Sequence, residues 1–229
     1  MTTELQHLEP TKYGLALHTT TRELGLVISN FVGDIRSQVW YLDRELSSHL
    51  HQYLIEFIQP QTWANLAFLA VAKGPGGFTG TRIGVVTART LGQQLGLPVF
   101  AISTLAAVAY SQVFHFCSVS METEPGVRSQ SDIAVEMPAQ RGQVFGAIYQ
   151  STPNISGLTS LLPDTLMTPE VWQEKLATWN TTYQLIKAES GLGATVTSVL
   201  QLAYLDWQQG KCPNWSEALP FYGQHPVEM

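Results

Sequence analysis

The chain has 229 residues, of which 45% are hydrophobic and 13% charged, so it encodes a packed globular core and not a disordered segment. Its 18 acidic residues outnumber 12 Lys and Arg, giving a formal charge of -6. A chain that neutralises phosphates by itself carries the opposite balance, which argues against autonomous nucleic-acid binding. The longest apolar runs, such as Leu66–Ala72 and Leu105–Ala109, fall well short of the roughly 18 residues that read as a membrane span. Met1–Pro10 has neither a basic n-region nor an apolar h-region. A cytoplasmic protein without membrane association is expected. Cys117 and Cys212 lie far apart and form no CxxC pair, which argues against a zinc site and leaves two buried, reduced thiols as the expectation and one remote disulfide as the alternative.

In chain order, Tyr13–Leu17, Leu24–Ser29 and Gln38–Leu42 read as three strands joined by short turns, an antiparallel meander. Leu46–Ile58 places Leu46, Leu50, Tyr53, Leu54 and Phe57 on one helical face, and Pro60 stops that helix. Phe68–Ala72 is a strand buried on both faces. It runs into a glycine-rich turn, and a helix of about four turns is predicted to begin near Thr81. Gly96 and Pro98 end it and open the strand Val99–Ile102; Ser103 is placed to cap a helix beginning at Thr104. The order β-β-β-α-β-α-β-α predicts an α/β sheet whose later strands are parallel crossovers.

The stretch 118–131 reads as a surface loop and the boundary between two half-domains. Beyond it, Ile133–Met137 and Val144–Tyr149 read as strands. Thr168-Pro169-Glu170 opens a short helix, Tyr183–Ala188 is a further strand, and Ala194–Gln209 is a last helix ended by Gly210.

The glycine-rich turn, Gly74-Pro75-Gly76-Gly77-Phe78-Thr79-Gly80, lies between a strand and a helix N-terminus. It is either a tight structural turn or a phosphate or partner contact. No Gly-Lys-Ser/Thr closes it, so it is not a Walker A loop. From Glu56 to Glu122 no Asp or Glu intervenes, while Lys73, Arg82 and Arg89 do. A phosphotransfer site needs acids to hold Mg²⁺ or to activate a nucleophile, and none stands beside this turn in sequence. The histidines show no HxxxH or HExxH spacing; His49 and His51 point to different sides of their helix, leaving His18 at the end of the first strand as the one to follow. Ile55 and Val86 are apolar residues on otherwise polar helix faces. Val86 is flanked by Arg82 and Arg89, an interface pattern that scattered surface hydrophobes also produce.

Tyr13–Thr21 (YGLALHTTT), Val71–Ser103 with its GPGGFTGTRIG core, Arg141–Tyr149 (RGQVFGAIY) and Ala218–Val227 (ALPFYGQHPV) together resemble the TsaB (YeaZ) family. The resemblance implies an actin-like, Hsp70-like (ribonuclease H-like) fold of two related half-domains with mixed sheets flanked by helices, here 11–117 and a smaller 118–229. It implies a non-catalytic scaffold for threonylcarbamoylation of tRNA adenosine 37. TsaD would be the heterodimer partner and TsaE would act on the complex. A homodimer would form when the chain is alone, and tRNA would be met only through the complex. The family's helical bundle places the partner face on the two helices, at Leu50, Leu54, Ile55, Arg82, Val86 and Arg89. The resemblance also marks departures: His18, Pro138 and Gln143 stand where the family carries acids. No cofactor or metal is therefore expected in the chain alone, and any nucleotide is expected only at the partner interface. The alternative is an ATPase or sugar-kinase-like enzyme of the same superfamily, which would need those acids.

Overall fold

The computed structural model describes residues 5–119, 132–152 and 157–223. These form two compact units. The first comprises the chain up to Thr104 together with Ser190–Phe221, and the second comprises Leu105–Glu189 and the segment from Tyr222 on.

In the first unit, β1 (Tyr13–His18), β2 (Glu23–Ser29) and β3 (Ile35–Tyr41) form the expected antiparallel meander, and β4 (Leu66–Ala72) and β5 (Val99–Ile102) add parallel to β1. The strand order is β3-β2-β1-β4-β5. Central β1 and β4 are buried along almost their whole length, which is why they read as unbroken apolar runs and not as alternating ones. Leu15, Leu17, Leu69 and Val71 meet the apolar stripes of α1 (Leu46–Ile58) and α2 (Phe78–Leu95) in one core cluster. On the other face small residues leave room for rings. A Cβ on Gly14 would lie 2.4 Å from the Phe68 ring, and Phe68 in turn stacks with Tyr204 and Trp207 of α5 (Val196–Gln208).

That packing corrects the expected division at residues 117 and 118. The sequence places the last helix in the second half, but Val196, Val199, Leu200 and Ala203 are buried and α5 packs chiefly on β1, β4 and β2. An apolar helical face goes where a sheet face is open to it, whatever its distance along the chain. Two smaller differences are local. β3 begins at Ile35 instead of Gln38, and α2 begins at Phe78, with Gly77 as its N-cap, instead of near Thr81.

The second unit repeats the first one's logic. After α3 (Thr104–Val119), β6 (Asp132–Pro138), β7 (Val144–Thr152) and β8 (Gly157–Met167) form an antiparallel meander, α4 (Pro169–Ala177) follows, and β9 (Tyr183–Lys187) returns parallel to β6. The order β8-β7-β6-β9 matches β3-β2-β1-β4 element for element, so the fold is two related α/β half-domains with mixed sheets flanked by helices. Thr168 caps α4 by accepting from the Val171 N–H, with Pro169 in the first turn, as the sequence predicts. Trp172 of α4 is buried in this core and donates its indole N–H to Glu136 at 2.7 Å.

No helix among the described residues is long and apolar enough to cross a membrane. Cys212 is exposed and free, against the expected buried thiol; the Cys117 side chain lies outside the described residues, as does most of the expected loop 118–131.

Candidate functional site: the glycine turn, His18 and two helices

The glycine turn is built to press α2 onto the end of β1. Gly77 N–H donates to the Thr20 carbonyl at 2.7 Å, Thr19 Oγ1 donates to the Gly80 carbonyl at 2.8 Å, and Gly74 accepts from the Thr104 N–H at 2.8 Å. A Cβ on Gly80 would lie 2.2 Å from the Thr19 carbonyl oxygen, and one on Gly84 would lie 2.1 Å from Thr19 Oγ1. Glycine is required at both positions by close backbone approach. The turn is thereby shown to be a structural clamp; Gly76, Gly77, Phe78 and Thr79 are nonetheless exposed along it.

His18 ends β1 and is fully buried. Its Nε2 lies 3.5 Å from Thr20 Oγ1, to which Thr104 Oγ1 donates at 3.3 Å, and its Nδ1 has no hydrogen-bond partner. Burial lowers its pKa to about 4, so the imidazole is neutral at neutral pH. Among the described residues no three His, Cys, Asp or Glu side chains converge on a metal-sized site. In the second unit, Pro138 ends β6 and Gln143 follows the turn, where Ala139 N–H donates to the Gln143 carbonyl.

The six residues expected on the partner face divide sharply. Leu50 and Leu54 are 0% and 2% exposed, locked in the first unit's core, and cannot meet a partner. Their spacing with Leu46 and Phe57 is the core stripe itself. Ile55 and Val86 are 56% and 52% exposed, and Arg82 is exposed. Arg89 is half-buried, its guanidinium 6.0 Å from the Trp215 ring centroid. Trp215 was not anticipated, although the Asn214-Trp-Ser-Glu217 capping box that fixes it is legible in sequence. The small-residue stripe of α2 also faces inward: Gly84 lies against Thr19, and Gly92 against Val99 and Trp215. Leu46, beside Gly80, completes this contact. Of the large apolar and the arginine side chains on the two helices, Ile55 on α1 and Phe78, Arg82 and Val86 on α2 are open to solvent.

A family model described as "TsaD: tRNA N6-adenosine threonylcarbamoyltransferase" matches residues 49–127, the segment that carries most of α1, all of α2 and the glycine turn. The Bacillus subtilis (strain 168) tRNA threonylcarbamoyladenosine biosynthesis protein TsaB is 30% identical over 167 residues, covering 71% of this chain and 65% of that protein. The TsaB of Buchnera aphidicola subsp. Acyrthosiphon pisum is 27% identical over 61% of this chain and 58% of its own length. These matches support membership of the TsaB (YeaZ) family. YeaZ from Pseudomonas aeruginosa shares the fold, with a TM-score of 0.72 at 19% identity over 92% of this chain and 99% of that one. The sequence matches thus span less than two thirds of these two TsaB relatives, while the fold match spans nearly all of the YeaZ structure.

Proposed function

We propose that the chain is a non-catalytic subunit for threonylcarbamoylation of tRNA adenosine 37, working through a complex with TsaD. In this reading the threonylcarbamoyl group passes from an adenylate to N6 of the adenosine on TsaD, and TsaE acts on the assembled complex. The observation that carries it, given TsaB family membership, is His18: a neutral, buried imidazole stands where the family carries an acid. Pro138 and Gln143 likewise replace acids on the β6–β7 turn. An ATPase or sugar kinase of this superfamily would need those carboxylates to hold a metal-nucleotide.

Ile55, Phe78, Arg82 and Val86 are the docking residues in this reading, with arginine beside exposed apolar side chains. Val86→Glu puts a charge where the partner would desolvate it. It should weaken TsaD binding, and self-association of the chain alone, by about 10-fold or more. As a surface change it should shift stability by no more than about 0.5 kcal/mol. Calorimetric titration against TsaD, with a urea melt of the free variant, separates the two effects. Undiminished binding would remove this face from the proposal.

With a formal charge of -6, the isolated chain should bind tRNA poorly at physiological salt. A gel shift at about 150 mM salt should show binding only when TsaD is added; sub-micromolar binding by the chain alone would contradict the proposed division of labour.

A further inference from the structure

The second unit contains a cavity of about 440 Å³ at one end of its sheet, lined by Asp132, Gln150, Leu161, Leu162, Lys175 and Trp179 among others. Asp132 is 1% exposed. Its Oδ2 is well satisfied, accepting from Trp179 Nε1 at 2.9 Å and from the Thr181 hydroxyl. Its Oδ1 receives only the Gln150 amide, at a loose 3.4 Å. Among the described residues no cation pairs with this carboxylate.

Lys175 lines the same cavity and likewise makes no ion pair among the described residues. Two opposite charges thus border one cavity without meeting. Between them the wall is apolar: the Trp179 ring, Leu162, and Leu161, which is 40% exposed although large and hydrophobic. A molecule that answers all three features carries an ammonium, a carboxylate and an apolar body.

We propose that this cavity binds a small zwitterion of the α-amino acid class. The ammonium displaces the loose Gln150 contact and donates to Asp132 Oδ1, the carboxylate faces Lys175, and the side chain lies on Trp179, Leu161 and Leu162. The test is calorimetric titration of the full chain with L-leucine, L-leucinamide and N-acetyl-L-leucine, repeated on Lys175→Met, a surface change that leaves the core intact. Leucine should bind the wild type. N-acetyl-leucine, which has no ammonium, should lose at least about 10-fold, the usual effect of removing a charge-assisted hydrogen bond. Leucinamide should bind the wild type more weakly than leucine does, and that preference should vanish in Lys175→Met. Asp132→Asn should abolish leucine binding, and because the ligand series makes the same comparison in wild-type protein, the test survives if that variant folds poorly. No leucine binding at about 10 mM would overturn the proposal. So would N-acetyl-leucine binding as tightly as leucine, or a leucine-over-leucinamide preference unchanged in Lys175→Met.

Discussion

Leu50→Ala should destabilise the protein by about 2–5 kcal/mol, while Ile55→Ala, five residues further along the same helix and on its other side, should change stability by no more than about 0.5 kcal/mol. Both residues are apolar and both belong to α1. Leu50 is fully buried against the first sheet, in one cluster with Leu15, Leu54 and Val85. Deleting its side chain removes favourable burial and leaves a cavity that close-packed neighbours fill only in part. Ile55 is 56% exposed and leaves no cavity when shortened. Urea denaturation of the two variants measures the contrast. Similar losses would mean that α1 is turned about its axis relative to the described packing.

Stability should also fall in acid through His18. Its folded-state pKa, about 4, lies below the ordinary 6.5, because burial disfavours the charged ring. The unfolded chain therefore binds the extra proton first as pH falls. The stabilisation is complete above pH 6.5, drains away between pH 6.5 and 4, and is gone below that; the sign is that of a lowered base, so stability rises with pH across this window. The shift corresponds to about 3 kcal/mol. Carboxylates titrate in the lower part of the same range, so the decisive quantity is the difference between wild type and His18→Asn. Urea melts at several pH values should give a shallower slope for the variant. Equal slopes would show that the imidazole is hydrated or paired.

The first half of the fold was legible because its signals are local. β1 and β4 are unbroken apolar runs, and α1 carries a clean 3.6-residue period. β8 was missed for an equally local reason. Gly157–Met167 contains Pro163, and the pairing register with β7 shifts there, between Ile148–Leu162 and Gly146–Thr165, so the alternation that marks a strand is broken. Proline is tolerated because β8 is an edge strand. The placement of α5 on the first sheet could not be read at all, since helical periodicity shows that a face is apolar but not which sheet will cover it. The same limit produced the error at Leu50 and Leu54. An apolar stripe is a core stripe first, and Ile55 and Val86, which lie off the core stripes, are exposed. The glycine turn was visible as a turn, but that its glycines serve the approach to Thr19 and Thr20 depends on long-range packing.

The most direct test of the proposed role is reconstitution of threonylcarbamoyl transfer to tRNA from purified TsaD, TsaE, this chain, ATP and the threonylcarbamoyl-adenylate donor. Neither TsaD alone nor this chain alone should modify adenosine 37, and the chain alone should hydrolyse no ATP; adding it to TsaD and TsaE should restore transfer. Modification by TsaD and TsaE at full rate without the chain would contradict the proposal, as would Mg²⁺-dependent ATP hydrolysis that copurifies with the chain and is lost on mutating it.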